Sequence, residues 1–200
     1  MNLPNKLTIF RMIIIPIMVI IYIIDFNKKI FGISISYWIL NFLFIIASFT
    51  DYLDGKIARK NNQITTFGKF ADPLADKILV ITAMIILVSD GNLPAWIPII
   101  VIYREFIVSG YRLVSVEKEG KVISANIWGK IKTVTQMIAI ILMFININGT
   151  NVFGLFFREK LSGVSLIINI FTTVIMIISV IATILSGWIY IKNGKEVFND

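Results

Sequence analysis

Two hundred residues, 57% of them apolar, with a mean hydropathy of +0.85 and a net charge of +7, place this chain outside the range of water-soluble domains. Cysteine and histidine are both absent, which excludes disulfides, thiolate metal sites, cysteine nucleophiles and imidazole chemistry; any reaction must run on carboxylates, lysines, arginines and hydroxyls. The positive charge is not gathered into a basic domain with interleaved aromatics, so an anionic lipid surface suits it better than nucleic acid.

Six apolar runs are long enough to cross a hydrocarbon core of roughly 30 Å, namely 7–25, 35–53, 74–90, 94–113, 126–147 and 162–191. They predict an all-α integral membrane protein, a single domain over residues 1–200 with six transmembrane helices. Ahead of the first run, "MNLPNKLTIFRM" sets Leu3, Leu7 and Phe10 among Asn5, Lys6 and Arg11 behind Pro4, which predicts a short interfacial helical stub. No small-residue cleavage pattern follows Ile24, so the first run reads as a retained helix, kinked at Pro16. The second run has no helix breaker between Asn41 and Asp54 and is expected to continue as helix into "DYLDGKIARK". Pro73 fits a first-turn position, which starts the third helix there with Asp72 near its cap. The segments "FNKKIFGISIS", "SDGNLP" and "INGTNVFGLFFREKLSG" read as connectors on one side of the membrane. Fifteen of the 19 lysines and arginines fall on the other side, leaving only Lys28, Lys29, Arg158 and Lys160 with the connectors. That bias predicts a cell-membrane protein with both termini cytoplasmic and its chemistry at the cytoplasmic interface.

Polar residues in the inward segments form a pattern. With helical continuation, Asp51, Asp54, Gly55 and Ala58 fall within a sector of about 100°. Gly68, Asp72 and Asp76 recur every fourth residue, which stacks them along one side of a helix. Four acids at a membrane interface repel one another unless something positive stands among them, and hard divalent ions with oxygen ligands meet that need. Two Mg²⁺ or Mn²⁺ ions could clamp a diphosphate, while Gly55, Ala58 and Gly68 would let a base or ribose approach the backbone. Against this stands a plainer reading of single residues, in which Asp51 and Asp54 pair with Arg59 or Lys60 and Asp72 merely caps a helix. Eight fixed identities across 26 residues argue against coincidence.

The motif D-x2-D-G-x2-A-R-x8-G-x3-D-x3-D resembles the signature of the CDP-alcohol phosphotransferase family, and every defining position is present, from Asp51 to Asp76. The segments "NLPNKLTIFR", "YREFIVSGYR", "SANIWGKIKTVTQ" and "TILSGWIY" are similar to the bacterial branch whose acceptor is sn-glycerol 3-phosphate. The resemblance implies six helices in that family's fold, a homodimer, and transfer of a phosphatidyl group from CDP-diacylglycerol to an alcohol with release of CMP. It implies that Asp51, Asp54, Asp72 and Asp76 hold two divalent ions and that Asp76 is general base. It further implies that Arg59, Gly55, Ala58 and Gly68, beside Asp51 and Asp72, line the CDP-diacylglycerol pocket. A phosphorylated acceptor needs its own cations, and Arg104, Arg112, Lys130 and Lys132 stand where the fourth run ends and the fifth begins. Gly129, Lys132, Thr133 and Gln136 are expected to form a polar stripe, and Glu105 to position Arg112. Lys118 and Lys121 read instead as headgroup-facing topology signals. Two alternatives stay open: the same chemistry with serine, an inositol phosphate or phosphatidylglycerol as acceptor, and a divalent-cation transporter.

Overall fold

The computed structural model describes residues 2–26, 28–60, 65–119, 127–145 and 163–193. Among them are six α-helices and one two-stranded hairpin. They run α1 (Leu3–Ile24), β1 (Lys29–Ile30), β2 (Ile33–Ser34), α2 (Ile35–Lys60), α3 (Thr66–Ser89), α4 (Trp96–Glu119), α5 (Ile127–Phe144) and α6 (Val164–Asn193).

The expected stub is not a separate element. Helix α1 runs unbroken from Leu3 through Pro16 to Ile24, with a proline in its first turn where no backbone donor is needed. The reason lies in its polar residues: Asn5, Thr8 and Arg11 are buried against other helices and do not face a headgroup layer. Between α1 and α2 the expected connector folds into a hairpin, β1 antiparallel to β2 with Lys29 opposite Ser34. Phe31 and Gly32 both have positive φ, 53° and 80°, the pairing a two-residue turn requires.

Helix α3 begins earlier than Pro73 suggests. Thr65 is its N-cap, with its hydroxyl accepting from the Gly68 N–H at 3.0 Å, so Asp72 and Pro73 lie inside the helix. A proline there forfeits one backbone bond. The cap and the contacts of α1 with Gly68 and Asp72 hold the segment helical regardless.

One apolar core draws on all six helices, through Met18, Phe44, Leu79, Ile97, Phe144 and Met176 among others. Phe144 meets Tyr37 edge-on at 5.8 Å and Phe44 at 6.3 Å. Helix α1 packs on α2 and α3, α5 pairs most closely with α6, and α4 lies against α6. The α6 face toward α5 carries Thr172, Thr173 and Thr183, whose hydroxyls donate to carbonyls four residues back in the same helix. The outside is equally apolar: Ile23, Phe42, Ile99, Phe106, Ile167 and Trp188 are each more than 60% exposed, a surface suited to lipid and not to water.

Among the described residues, three stretches are long and apolar enough to cross a membrane, Asn5–Ile24, Ile127–Phe144 and Leu166–Lys192, and Ile35–Asp51 is a shorter one. In α3 the apolar run is interrupted by Asp72, Asp76 and Lys77, and in α4 by Arg104 and Glu105. Those interruptions build the site.

Candidate active site

Helix α3 presents Gly68, Asp72 and Asp76 at four-residue spacing, and α1 answers with Asn5, Thr8 and Arg11 at three-residue spacing. Thr8 donates its hydroxyl to Asp72 Oδ1. Arg11, wholly buried, pairs through Nη1 with Asp51 Oδ1 on α2, and its Nη2 lies 3.6 Å from Asp72 Oδ1. One guanidinium thus spans carboxylates from two helices, which offsets the repulsion that two nearby acids impose on each other. The Asn5 carbonyl accepts from Thr65 Oγ1 at 2.7 Å, tying α1 to the cap of α3. A Cβ on Gly68 would come 3.3 Å from Asn5 Oδ1 and 3.2 Å from Thr65 Oγ1, so this glycine lets α1 approach α3 closely.

Asp76 lies one turn further along. Its Oδ1 is buried and has no hydrogen-bond partner among the described residues. The charges acting on it are those of Asp51, Arg11, Lys132 and Glu105. Beyond it stands the second charged group. Glu105 Oε1 accepts from Arg104 Nη1 at 2.9 Å and from the Lys132 ammonium, and its Oε2 is 3.9 Å from Lys77 Nζ. Arg104 also donates from Nη2 to Ser186 Oγ at 2.5 Å and sits 5.9 Å over the Tyr190 ring.

Of the sequence-predicted residues, the structure brings Asp51 and Asp72 together through Arg11, and it brings Arg104 and Lys132 together through Glu105. Among the described residues no three acids gather in an arrangement that could hold a metal ion. Asp54, Gly55, Ala58 and Arg59 are in the last turns of α2 and Arg112 in α4, but their side chains lie outside the described residues, as do Lys118's side chain and all of Lys121. Lys130 is exposed and makes no ion pair among the described residues; two positions from Lys132, it lies about 200° around the helix. The polar stripe on α5 is narrower than expected. Lys132 and Gln136 are buried, but Thr133 is exposed and donates to the Gly129 carbonyl. Glu105's described partners are Lys77, Arg104 and Lys132, with Arg112 outside the described side chains.

Sequence reasoning missed Asn5, Thr8 and Arg11 as a site face, and it counted Lys77 only as a topology cation. The available signal was the recurrence of polar residues at 5, 8 and 11 in an apolar run.

Residues 1–185 match the CDP-alcohol phosphatidyltransferase family. The chain belongs to that family. Several relatives are matched along nearly their whole length. A Bacillus subtilis (strain 168) protein named CDP-diacylglycerol–glycerol-3-phosphate 3-phosphatidyltransferase is 42% identical over 200 residues, 98% of this chain and 96% of its own. Proteins of the same name from Rickettsia felis and Haemophilus influenzae are 33% and 41% identical, covering 98% and 70% of this chain and 97% and 73% of their own. Membership in a family of membrane transferases fits what the helices present: acidic and cationic groups side by side inside an apolar bundle.

Proposed function

We propose that this chain transfers the phosphatidyl group of CDP-diacylglycerol to sn-glycerol 3-phosphate, giving phosphatidylglycerol phosphate and CMP. The observation that carries the reading is Asp76, a buried carboxylate with one unpartnered oxygen, one helical turn from the Arg11-paired Asp72 and within electrostatic reach of Arg11, Asp51, Lys132 and Glu105. A general base needs an oxygen not already committed to a hydrogen bond, and Asp76 Oδ1 has no such partner among the described residues. The 1-hydroxyl of the acceptor attacks the β-phosphorus, its proton passes to Asp76, and the bond from that phosphorus to the bridging oxygen breaks, so that CMP leaves with the oxygen. The relatives' names supply the donor and acceptor.

The donor set suits a hard divalent ion: carboxylates in a chain without cysteine or histidine, with Asp51 and Asp72 each about a third exposed and so accessible to an ion. Asp51, Asp54, Asp72 and Asp76 would hold two ions, Mg²⁺ or Mn²⁺. When bound, they supply charge compensation for the diphosphate and Lewis acidity at phosphorus. Asp51, Gly55, Ala58, Arg59, Gly68 and Asp72 would line the nucleotide side, and Arg104, Arg112 and Lys132 the acceptor side, whereas Lys130, exposed and about 200° around α5 from Lys132, would not. Six membrane-crossing helices, a single domain over 1–200, cytoplasmic termini and a homodimer complete the reading. The apolar exterior, the three long apolar stretches and the cation bias support its membrane part.

The direct test is Asp76→Asn in purified protein. Turnover should fall by about 10²-fold or more with folding and membrane insertion retained. Near-normal CMP release would remove Asp76 from the base role.

A further inference from the structure

Three cations from three helices stand around one carboxylate: Lys77 of α3, Arg104 of α4 and Lys132 of α5 around Glu105. All four side chains are at least two-thirds buried, the least covered being Lys77 at 28% exposed and the most covered Lys132 at 8%. Brought together alone, three positive charges in so poor a dielectric would repel strongly and splay apart. Glu105 takes two of them on Oε1 and faces the third with Oε2, which holds them close and leaves a net charge of two positive. A phosphate monoester near neutral pH carries about −1.5 to −2, so the remainder matches it.

The surroundings are built for this. Arg104 is fixed by Ser186 and Tyr190 on α6, and glycines leave it room: a Cβ on Gly187 would come 3.3 Å from Arg104 Cγ, and one on Gly129 3.4 Å from Nη2. Lys77 is steadied by donating to Ser109 Oγ on α4. With these contacts made, Arg104 Nε is still buried and without a partner among the described residues. A buried guanidinium donor left unpaired is costly unless something accepts from it. Asp76 feels the charges of Lys132 and Glu105, so an anion held here would be within electrostatic reach of the carboxylate proposed to take its proton.

We propose that Glu105 is the counter-ion that assembles Lys77, Arg104 and Lys132 into the acceptor-phosphate subsite, with Lys77 a direct phosphate ligand and Glu105 a positioning residue that never touches the substrate. The proposal rests on the acceptor being a phosphate monoester.

The test uses the purified full chain with saturating CDP-diacylglycerol and Mg²⁺ while sn-glycerol 3-phosphate is varied. Glu105→Gln should raise KM for sn-glycerol 3-phosphate about ten-fold or more, leave KM for CDP-diacylglycerol within about two-fold, and change kcat less than KM. Glu105→Asp should restore most of the loss, which a merely structural residue would not show. Lys77→Gln, at a more exposed position and independent of how Glu105→Gln folds, should raise the same KM alone. An unchanged or lowered KM in Glu105→Gln would overturn the proposal, the lowered value marking Glu105 as a competitor for the cations. Lys77→Gln with wild-type KM would overturn it as well. Failure of the underlying reading looks different: wild-type protein that prefers glycerol or serine to sn-glycerol 3-phosphate.

Discussion

Arg11 shows how a residue acquires its role from charges far away in sequence. Its guanidinium is wholly buried while Asp51 and Asp72, 40 and 61 positions on, remain about a third exposed. Arg11→Gln leaves those carboxylates facing each other without a counter-charge. Solvent reaching them blunts the penalty below that of a sealed pair, so the variant should lose about 1–3 kcal/mol in metal-free buffer. Added Mg²⁺ should restore part of the loss by binding the folded state, as thermal unfolding in chelator and in Mg²⁺ would show. Equal destabilisation in both buffers would separate Arg11 from any metal binding by the acids. The acids themselves were legible because their spacing repeats with the helix, whereas a single arginine at the head of an apolar run reads as a topology signal. Nothing local to Arg11 announces Asp51 or Asp72. The same holds for Lys77, whose neighbour Asp76 carried the motif while its own partners, Ser109 and Glu105, lie on another helix.

Helix existence was plain from apolar runs, but helix ends depended on single bonds. At α3, Pro73 resembles a first-turn proline, and only the Thr65 hydroxyl, capping Gly68 N–H and donating to Asn5, fixes the start seven residues earlier. Both of those bonds vanish in Thr65→Ala. The expected cost is about 1–2 kcal/mol, read as a lower melting temperature in detergent, with activity falling because the Asn5–Thr8–Arg11 face of α1 loosens from Asp72. Unaltered melting and activity would show that the cap is dispensable and that packing alone sets the start of α3. Similarly, α1 reads as stub plus span by composition, since polar residues near a terminus suggest an interface. Its burial against α2 and α3 turns that polar face inward and keeps one continuous helix. On α5 the wheel placed Thr133 with Lys132, but only Lys132 and Gln136 are buried, turned to Glu105 of α4 and Met84 of α3, while Thr133 is exposed.

Across the whole molecule, the bundle is tied at both ends by polar contacts and filled with apolar side chains between. Near the C-terminal end of α3, Asp90 accepts from Tyr22 and Tyr37, and Asn92 donates to Tyr37 at 3.1 Å. From Asp72 to Asp90 is 18 residues of nearly continuous helix, so that latch stands about 27 Å from the acids. The chemistry is thus concentrated at one end, and there the acidic group, Asp76 and the Glu105 cations share a neighbourhood. We propose that this end is one transferase site for a nucleotide-linked lipid and a phosphorylated alcohol. Its most direct measurement is CMP release by the purified protein from CDP-diacylglycerol, with sn-glycerol 3-phosphate, serine, inositol phosphate and phosphatidylglycerol compared as acceptors, in Mg²⁺ or Mn²⁺ and in chelator. Release should require both a divalent ion and sn-glycerol 3-phosphate. Divalent-ion flux into vesicles without CMP release, or release driven equally well by serine, would contradict it.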